Sequence, residues 1–185
     1  MCLSLAIAAL VAFTAVLPCH AGETKLNKKM EKNDMGVEPY KTNLITRWGR
    51  EVTPENAWTE YPRPQMAREN WQNLNGLWEY AVTPDAVAAP PDAWAGNILV
   101  PFALESRLGG VQRLLQPEEA LWYRRSFEVA DVAGKRTLLN FEAVDYHCEI
   151  WVNGASVGKH QGGSTPFSLD ITNAVQQGNN EIIVR

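Results

Sequence analysis

The chain is poor in cysteine. Cys2 and Cys19 lie close to the N-terminus, and beyond them Cys148 stands alone. No intramolecular disulfide can form in that larger part. Basic clusters are also missing, and the formal net charge is −4. That argues against nucleic-acid or anionic-membrane partners. Metal ligands are scarce. After the N-terminal region there are two histidines and one cysteine, without ligand spacing, so neither a metal site nor a cofactor is expected. No sustained helical period and no internal repeat are present. The one apolar run, Leu3 to Leu17, is free of charge. As helix it spans roughly 22 Å, short of a bilayer core, so no transmembrane segment is expected.

That run reads instead as a signal peptide over residues 1–21. Cys19 and Ala21 form a small-x-small site, which places cleavage after Ala21. The expected product is exported, to the periplasm or the medium. No Lys or Arg precedes the apolar run, a departure from the usual pattern. A lipid anchor on Cys19 is the lesser alternative, because Pro18 fits that pattern poorly. Residues 22–60 read as a charged spacer followed by an extended segment with Trp48 and Trp58. Tyr61-Pro62-Arg63-Pro64 excludes helix.

From residue 61 to 185 the chain reads as β. Trp78, Tyr80 and Val82 alternate with Leu77, Glu79 and Ala81. Ile98 to Phe102 is a short strand, and Glu105 to Glu119 a long loop. Tyr123, Arg125, Phe127 and Val129 share one face of a strand, opposite Trp122, Arg124, Ser126 and Glu128. Further strands are expected over Arg136–Val144 and Tyr146–Val152. Asn153-Gly154 then makes a type I′ hairpin turn, because both residues tolerate positive φ. Phe167, Leu169 and Ile171 point one way, and Ser168, Asp170 and Thr172 the other. A short helix is expected over Thr172–Gln177, stopped at Gly178, before a last strand from Asn180. Short strands at regular spacing indicate an all-β sandwich of jelly-roll type. Ile182-Ile183-Val184 is an apolar strand pattern at the chain end. The expectation is an incomplete domain whose continuation pairs there, and an aggregation-prone fragment without it.

Several pieces resemble a known family. They are Asn73-Leu74-Asn75-Gly76-Leu77-Trp78, Val100-Pro101-Phe102, Trp122-Tyr123-Arg124-Arg125, Trp151-Val152-Asn153-Gly154 and Gly162-Gly163 with Pro166-Phe167 and Asp170-Ile171-Thr172. Their order and spacing are similar to the N-terminal sugar-binding domain of family 2 glycoside hydrolases. That family includes β-galactosidases, β-glucuronidases and β-mannosidases. The resemblance implies a galactose-binding-like jelly roll, followed by immunoglobulin-like and barrel domains. It places the two catalytic glutamates in the barrel, so no catalytic residue is assigned to this chain. It also implies a carbohydrate substrate and hydrolysis of O-glycosyl bonds by the parent protein.

Asp170 matches a family aspartate that contacts substrate, as a carboxylate can hold vicinal hydroxyls. Its other reading is a cap on the following turn. His160 and Gln161 either touch substrate or finish the hairpin. Ser164 departs from the aromatic or His usual after Gly-Gly. Arg125 is expected in a structural ion pair, Cys148 as a small buried hydrophobe, and Glu105 and Glu142 as isolated acids. Two other classes stay open: a free-standing carbohydrate-binding module, and a surface module without ligand.

Overall fold

The computed structural model describes Cys2–Leu5, residues 45–63, residue 65 and residues 67–185. The strands are β1 (Cys2–Leu5), β2 (Trp71–Asn73), β3 (Gly76–Pro84), β4 (Gly96–Val100), β5 (Glu119–Val129), β6 (Leu138–Phe141), β7 (His147–Val152), β8 (Ala155–Gln161), β9 (Phe167–Asp170) and β10 (Gly178–Val184). They form two sheets. The first is six-stranded and antiparallel, in the order β4-β3-β5-β10-β7-β8. The second is four-stranded, in the order β2-β1-β6-β9. In it β1 runs parallel to both neighbours, while β6 and β9 are antiparallel.

Alternation makes the sandwich. Trp78, Tyr123, Phe127, Ile150, Val152 and Ile182 of the first sheet meet Leu139 and Phe141 of the second in one buried core. Burying each such side chain contributes about 1.5–3 kcal/mol. The expected all-β, two-sheet fold is what the chain adopts. The opposite face of the first sheet is covered as well. There Ala81, Trp122 and Ile183 form a second small core with Trp94 and Trp151. Trp122 and Trp151 stack at 5.6 Å.

The Asn153-Gly154 turn has φ of 51° and 80°, the signs a type I′ turn needs. Gly158 lies where β8 meets the other sheet. A Cβ there would stand 2.6 Å from Leu169 Cδ2, so any larger residue would have to push the Leu169 side chain aside.

Several expectations are corrected. Ile182–Val184 is no unpaired edge, because β10 lies between β5 and β7. The reason given for aggregation therefore falls. Arg136–Val144 contracts to β6, since the Thr137 N–H bonds the Thr172 hydroxyl instead. Thr172–Gln177 is a turn, not a helix. Asn180 Oδ1 accepts from the Gln176 N–H, and Asn180 Nδ2 donates to the Gln176 carbonyl, which stops propagation. Arg125 has no carboxylate partner among the described bonds. It donates to the carbonyls of Leu74 and Asn75 at 2.7 and 2.5 Å. Gly76, at φ 117°, gives it room, and burial lowers its pKa.

Of the expected signal peptide, only Cys2–Leu5 is among the described residues, and it forms β1. No described helix is long and apolar enough to cross a membrane.

Candidate functional site

The second sheet carries the site on its outer face. Register fixes which positions share that face. Trp71 and Leu138 both pair with position 2, and Leu138 pairs with Asp170. Asn73 and Asn140 both pair with position 4, and Asn140 pairs with Ser168. Partners in register point to one side of a sheet. The result is two parallel rows, one ending at Asp170 and one at Ser168. Leu139, Phe141, Phe167 and Leu169 alternate onto the core side.

Asp170 closes the first row at the exposed end of β9. Its Oδ1 accepts from the Thr172 amide at 3.0 Å and the Thr172 hydroxyl at 2.5 Å. Its Oδ2 accepts from Arg136 Nε at 2.6 Å. The Thr172 hydroxyl first, then Arg136 and the Thr172 amide, hold its carboxyl down to about 2. The Arg136 side chain is 71% exposed. Such a surface pair contributes little stability and exchanges readily for other partners. The capping geometry expected of Asp170 is therefore present, and the carboxylate stays open to solvent.

Beside these rows lies a cleft of about 360 Å³. Tyr61 and Trp71 form one wall, with ring centroids 4.3 Å apart. Asn140, Ser168 and Glu142 supply polar lining, and Arg63 and Arg68 supply positive charge. Ser168 donates to Asn140 Oδ1 at 2.5 Å. The indole Nε1 of Trp71 is buried without a hydrogen-bond partner among the described residues. Aromatic faces beside hydroxyl and amide groups suit a sugar ring, which presents both C–H faces and hydroxyls.

His160 and Gln161 stand elsewhere. The His160 ring stacks on Phe167 at 4.0 Å, and Phe167 stacks on Phe141 at 4.7 Å. His160 Nε2 lies 3.2 Å from the Gly162 carbonyl oxygen and 3.3 Å from the Thr165 hydroxyl. These contacts tie the β8 end to the Gly-Gly bend. Gln161 is exposed and donates to the Tyr146 hydroxyl at 3.4 Å. Phe167 and Asp170 are the two ends of β9, about 10 Å apart. Asp170 ends β9, whereas His160 and Gln161 end β8 beside the Phe167 end of β9, so the three expected residues do not converge on one point.

Other residues singled out are placed as follows. Cys148 is buried, and burial raises its thiol pKa to about 11. It is a packing residue and a poor nucleophile at neutral pH. Tyr123 is also raised by burial. Glu105 accepts a bond from the Leu115 amide at 3.4 Å. Glu142 lines the cleft. Among the described residues no group of three His, Cys, Asp or Glu side chains is placed to hold a metal. The Tyr61–Trp71 wall had no sequence signal. The two residues belong to irregular or very short segments, and only the register of β2 brings them to this face.

Comparison with known proteins agrees with the all-β fold and with the resemblance seen in the sequence. The family described as "Glycosyl hydrolases family 2, sugar binding domain" matches residues 112–185. A β-galactosidase of Thermoanaerobacter pseudethanolicus is 42% identical over 64 residues, which is 34% of this chain and 9% of that protein. A β-glucuronidase of Paenibacillus borealis is 28% identical over 134 residues, which is 64% of this chain and 21% of that protein. Among solved structures, a Lactobacillus rhamnosus β-glucuronidase superposes with TM-score 0.50 at 29% identity, over 61% of this chain and 20% of that one. The chain spans about a fifth or less of the length of these relatives.

Proposed function

We propose that this chain is the N-terminal part of an exported family 2 glycosidase, a reading supported by the match of residues 112–185 to the sugar-binding domain of that family and by the similarity to β-glucuronidases. In this reading the β-sandwich is a galactose-binding-like jelly roll, and its outer rows form one side of the sugar pocket. Asp170 accepts hydrogen bonds from vicinal hydroxyls in place of Arg136. The cleft beside it packs a sugar ring on Tyr61 and Trp71. Bond cleavage belongs to two carboxylates of a downstream barrel, about 5 Å apart as a retaining mechanism requires. Export follows from the leader at residues 1–21.

The observation that carries this reading is the exposed Asp170 in the same row as the aromatic cleft, on a domain of this family. The test is assay of the exported protein against aryl β-galactosides, β-glucuronides and β-mannosides. Hydrolysis of one class is expected. Residues 1–185 alone should hydrolyse none. A native protein of the mass of residues 22–185, inert towards all three, would refute the reading.

The cleft also favours a second reading, a carbohydrate-binding module. It predicts that residues 1–185 bind a monosaccharide in calorimetry without the rest of an enzyme. Binding at millimolar affinity or better, with no hydrolysis by the native protein, would select it.

A further inference from the structure

The Gly162–Gly163 bend lies between β8 and β9, and a polar cluster stands on it that the Asp170 row does not use. Its members are Asp145, Tyr146, His147 and Gln161, all exposed. Register brings them together. His147 opens β7 and pairs with Gln161, which closes β8, so the two side chains leave the same face of the sheet. The Gly162 N–H donates to the Tyr146 carbonyl at 2.8 Å, which ties the residue before β7 to the bend. The Tyr146 ring meets the His147 ring edge to face at 5.1 Å, and its hydroxyl accepts from Gln161 Nε2 at 3.4 Å. A ring on a residue that is 56% exposed is thereby held in one place. Gly163 seats the carboxylate of the cluster. Its φ is not positive, so backbone freedom is not what calls for glycine there. A Cβ would run into the Asp145 carboxylate, with Cγ 2.9 Å away. Among the described residues no donor bonds that carboxylate, whereas Thr172 and Arg136 both bond Asp170. The cluster holds no Lys or Arg, and Lys159, two residues before Gln161, pairs with Glu149.

We propose that Asp145, Tyr146, His147 and Gln161 form a binding site for a neutral pyranose unit that presents a vicinal diol. This rests on the reading of the domain as one that handles carbohydrate. An ionised carboxylate only accepts hydrogen bonds, and a vicinal diol presents two O–H donors to its two oxygens. The exposed face of the Tyr146 ring packs against ring C–H groups. The Gln161 amide, with an acceptor and two donors, takes a further hydroxyl. Backbone bonding to the bend holds the set in place before any ligand arrives, which lowers the ordering cost of binding. An anionic sugar would bring its charge beside Asp145 with no Lys or Arg of the cluster to offset it. The site therefore selects neutral hexosides over uronides.

Backbone amide NMR shifts test this on residues 1–185, titrated with methyl β-galactoside, methyl β-mannoside and methyl β-glucuronide. A neutral glycoside is expected to move the Tyr146, His147, Gln161 and Gly162 amides with a Kd of about 1–10 mM, the range open to one carboxylate and one ring face. The glucuronide should bind about tenfold more weakly or worse. Asp145→Asn should weaken the neutral glycoside about tenfold. Gln161→Ala, on the edge strand β8, should weaken it about fivefold, and serves if Asp145→Asn does not fold. Unmoved amides in β5 and β10 report that each variant keeps its fold. Three results would overturn the proposal: equal affinity for the glucuronide, no shift at the bend with any glycoside at about 100 mM, or unchanged affinity in both variants. A neutral glycoside that moves only the Trp71, Asn140 and Ser168 amides sinks this inference and leaves the cleft as the sugar site. Shifts at the bend without hydrolysis by the native protein support this inference and sink the enzyme reading alone.

Discussion

Trp71 and Asp170 stand in one row on the outer face of the second sheet, with position 2 and Leu138 between them. Three strand spacings put their backbones about 14 Å apart, the reach of one or two sugar rings. An aromatic surface at one end and an exposed carboxylate at the other give that row a direction. The following expectations come from it and from the packing beneath it.

Asp170→Asn keeps an acceptor for the Thr172 amide and hydroxyl but removes the charge. In the full-length glycosidase proposed above it should lower kcat/KM by about ten- to a hundredfold, the worth of a hydrogen bond to a charged group. The melting temperature should barely move, because the Arg136 pair is exposed. Steady-state kinetics beside a thermal melt will check this. Unchanged kinetics would return Asp170 to a capping role alone.

The Asp170 carboxyl is held near 2, below its ordinary value of 3.8. A depressed carboxylate pKa contributes stability above the unfolded-state value, and that contribution is lost as pH falls through the folded-state value. The wild type should therefore gain over Asp170→Asn above about pH 4 and lose the gain by about pH 2. Denaturant titrations across this window measure the difference. An NMR titration midpoint near 4 would contradict the geometry around Thr172.

Gly158→Ala should destabilise the domain by about 1–3 kcal/mol, because its methyl meets Leu169. Leu169→Ala is itself costly, since it leaves a cavity. In the double variant the two changes should partly compensate, with a coupling of about 1 kcal/mol or more. A double-mutant cycle of urea melts reads this directly. Strict additivity would mean the sheets do not meet at Gly158.

Asn153 does two things at once. It adopts φ 51° in the turn. Its side chain also accepts from the Glu181 amide and donates to the Ala174 carbonyl and Asn180. Asn153→Gly relieves the backbone but loses those bonds, at about 1–2 kcal/mol. Asn153→Ala loses both and should cost about 1 kcal/mol more. Equal melting of the two variants would show that the turn conformation carries no weight there.

Much of the fold was legible because side-chain alternation is a local property. Tyr123, Phe127 and Val129 face the core as their spacing implies, and Ser168 and Asp170 face outward. Asn153-Gly154 makes its turn for a reason confined to two residues. The errors lie where a distant group intervened. Thr172 takes the Thr137 amide and shortens β6. Asn180 stops the expected helix by bonding both backbone groups of Gln176. Arg125 satisfies itself on two carbonyls fifty residues away in sequence. The candidate site was legible in part. Asp170 makes the cap that was one of its two readings, His160 and Gln161 lie at the end of β8 away from it, and the Tyr61–Trp71 wall had no sequence signal.

The sequence by itself determined the class of fold, the strand faces, the hairpin turn and the family resemblance, because each rests on period, on local φ preference or on a motif in order. Which strands neighbour one another was decided only in three dimensions. Sheet order depends on long-range pairing, and alternation within a strand says nothing about the strand beside it. That is why the apolar Ile182–Val184 segment proved to be a central strand, and why Trp71 and Asp170 came to share one row of the second sheet.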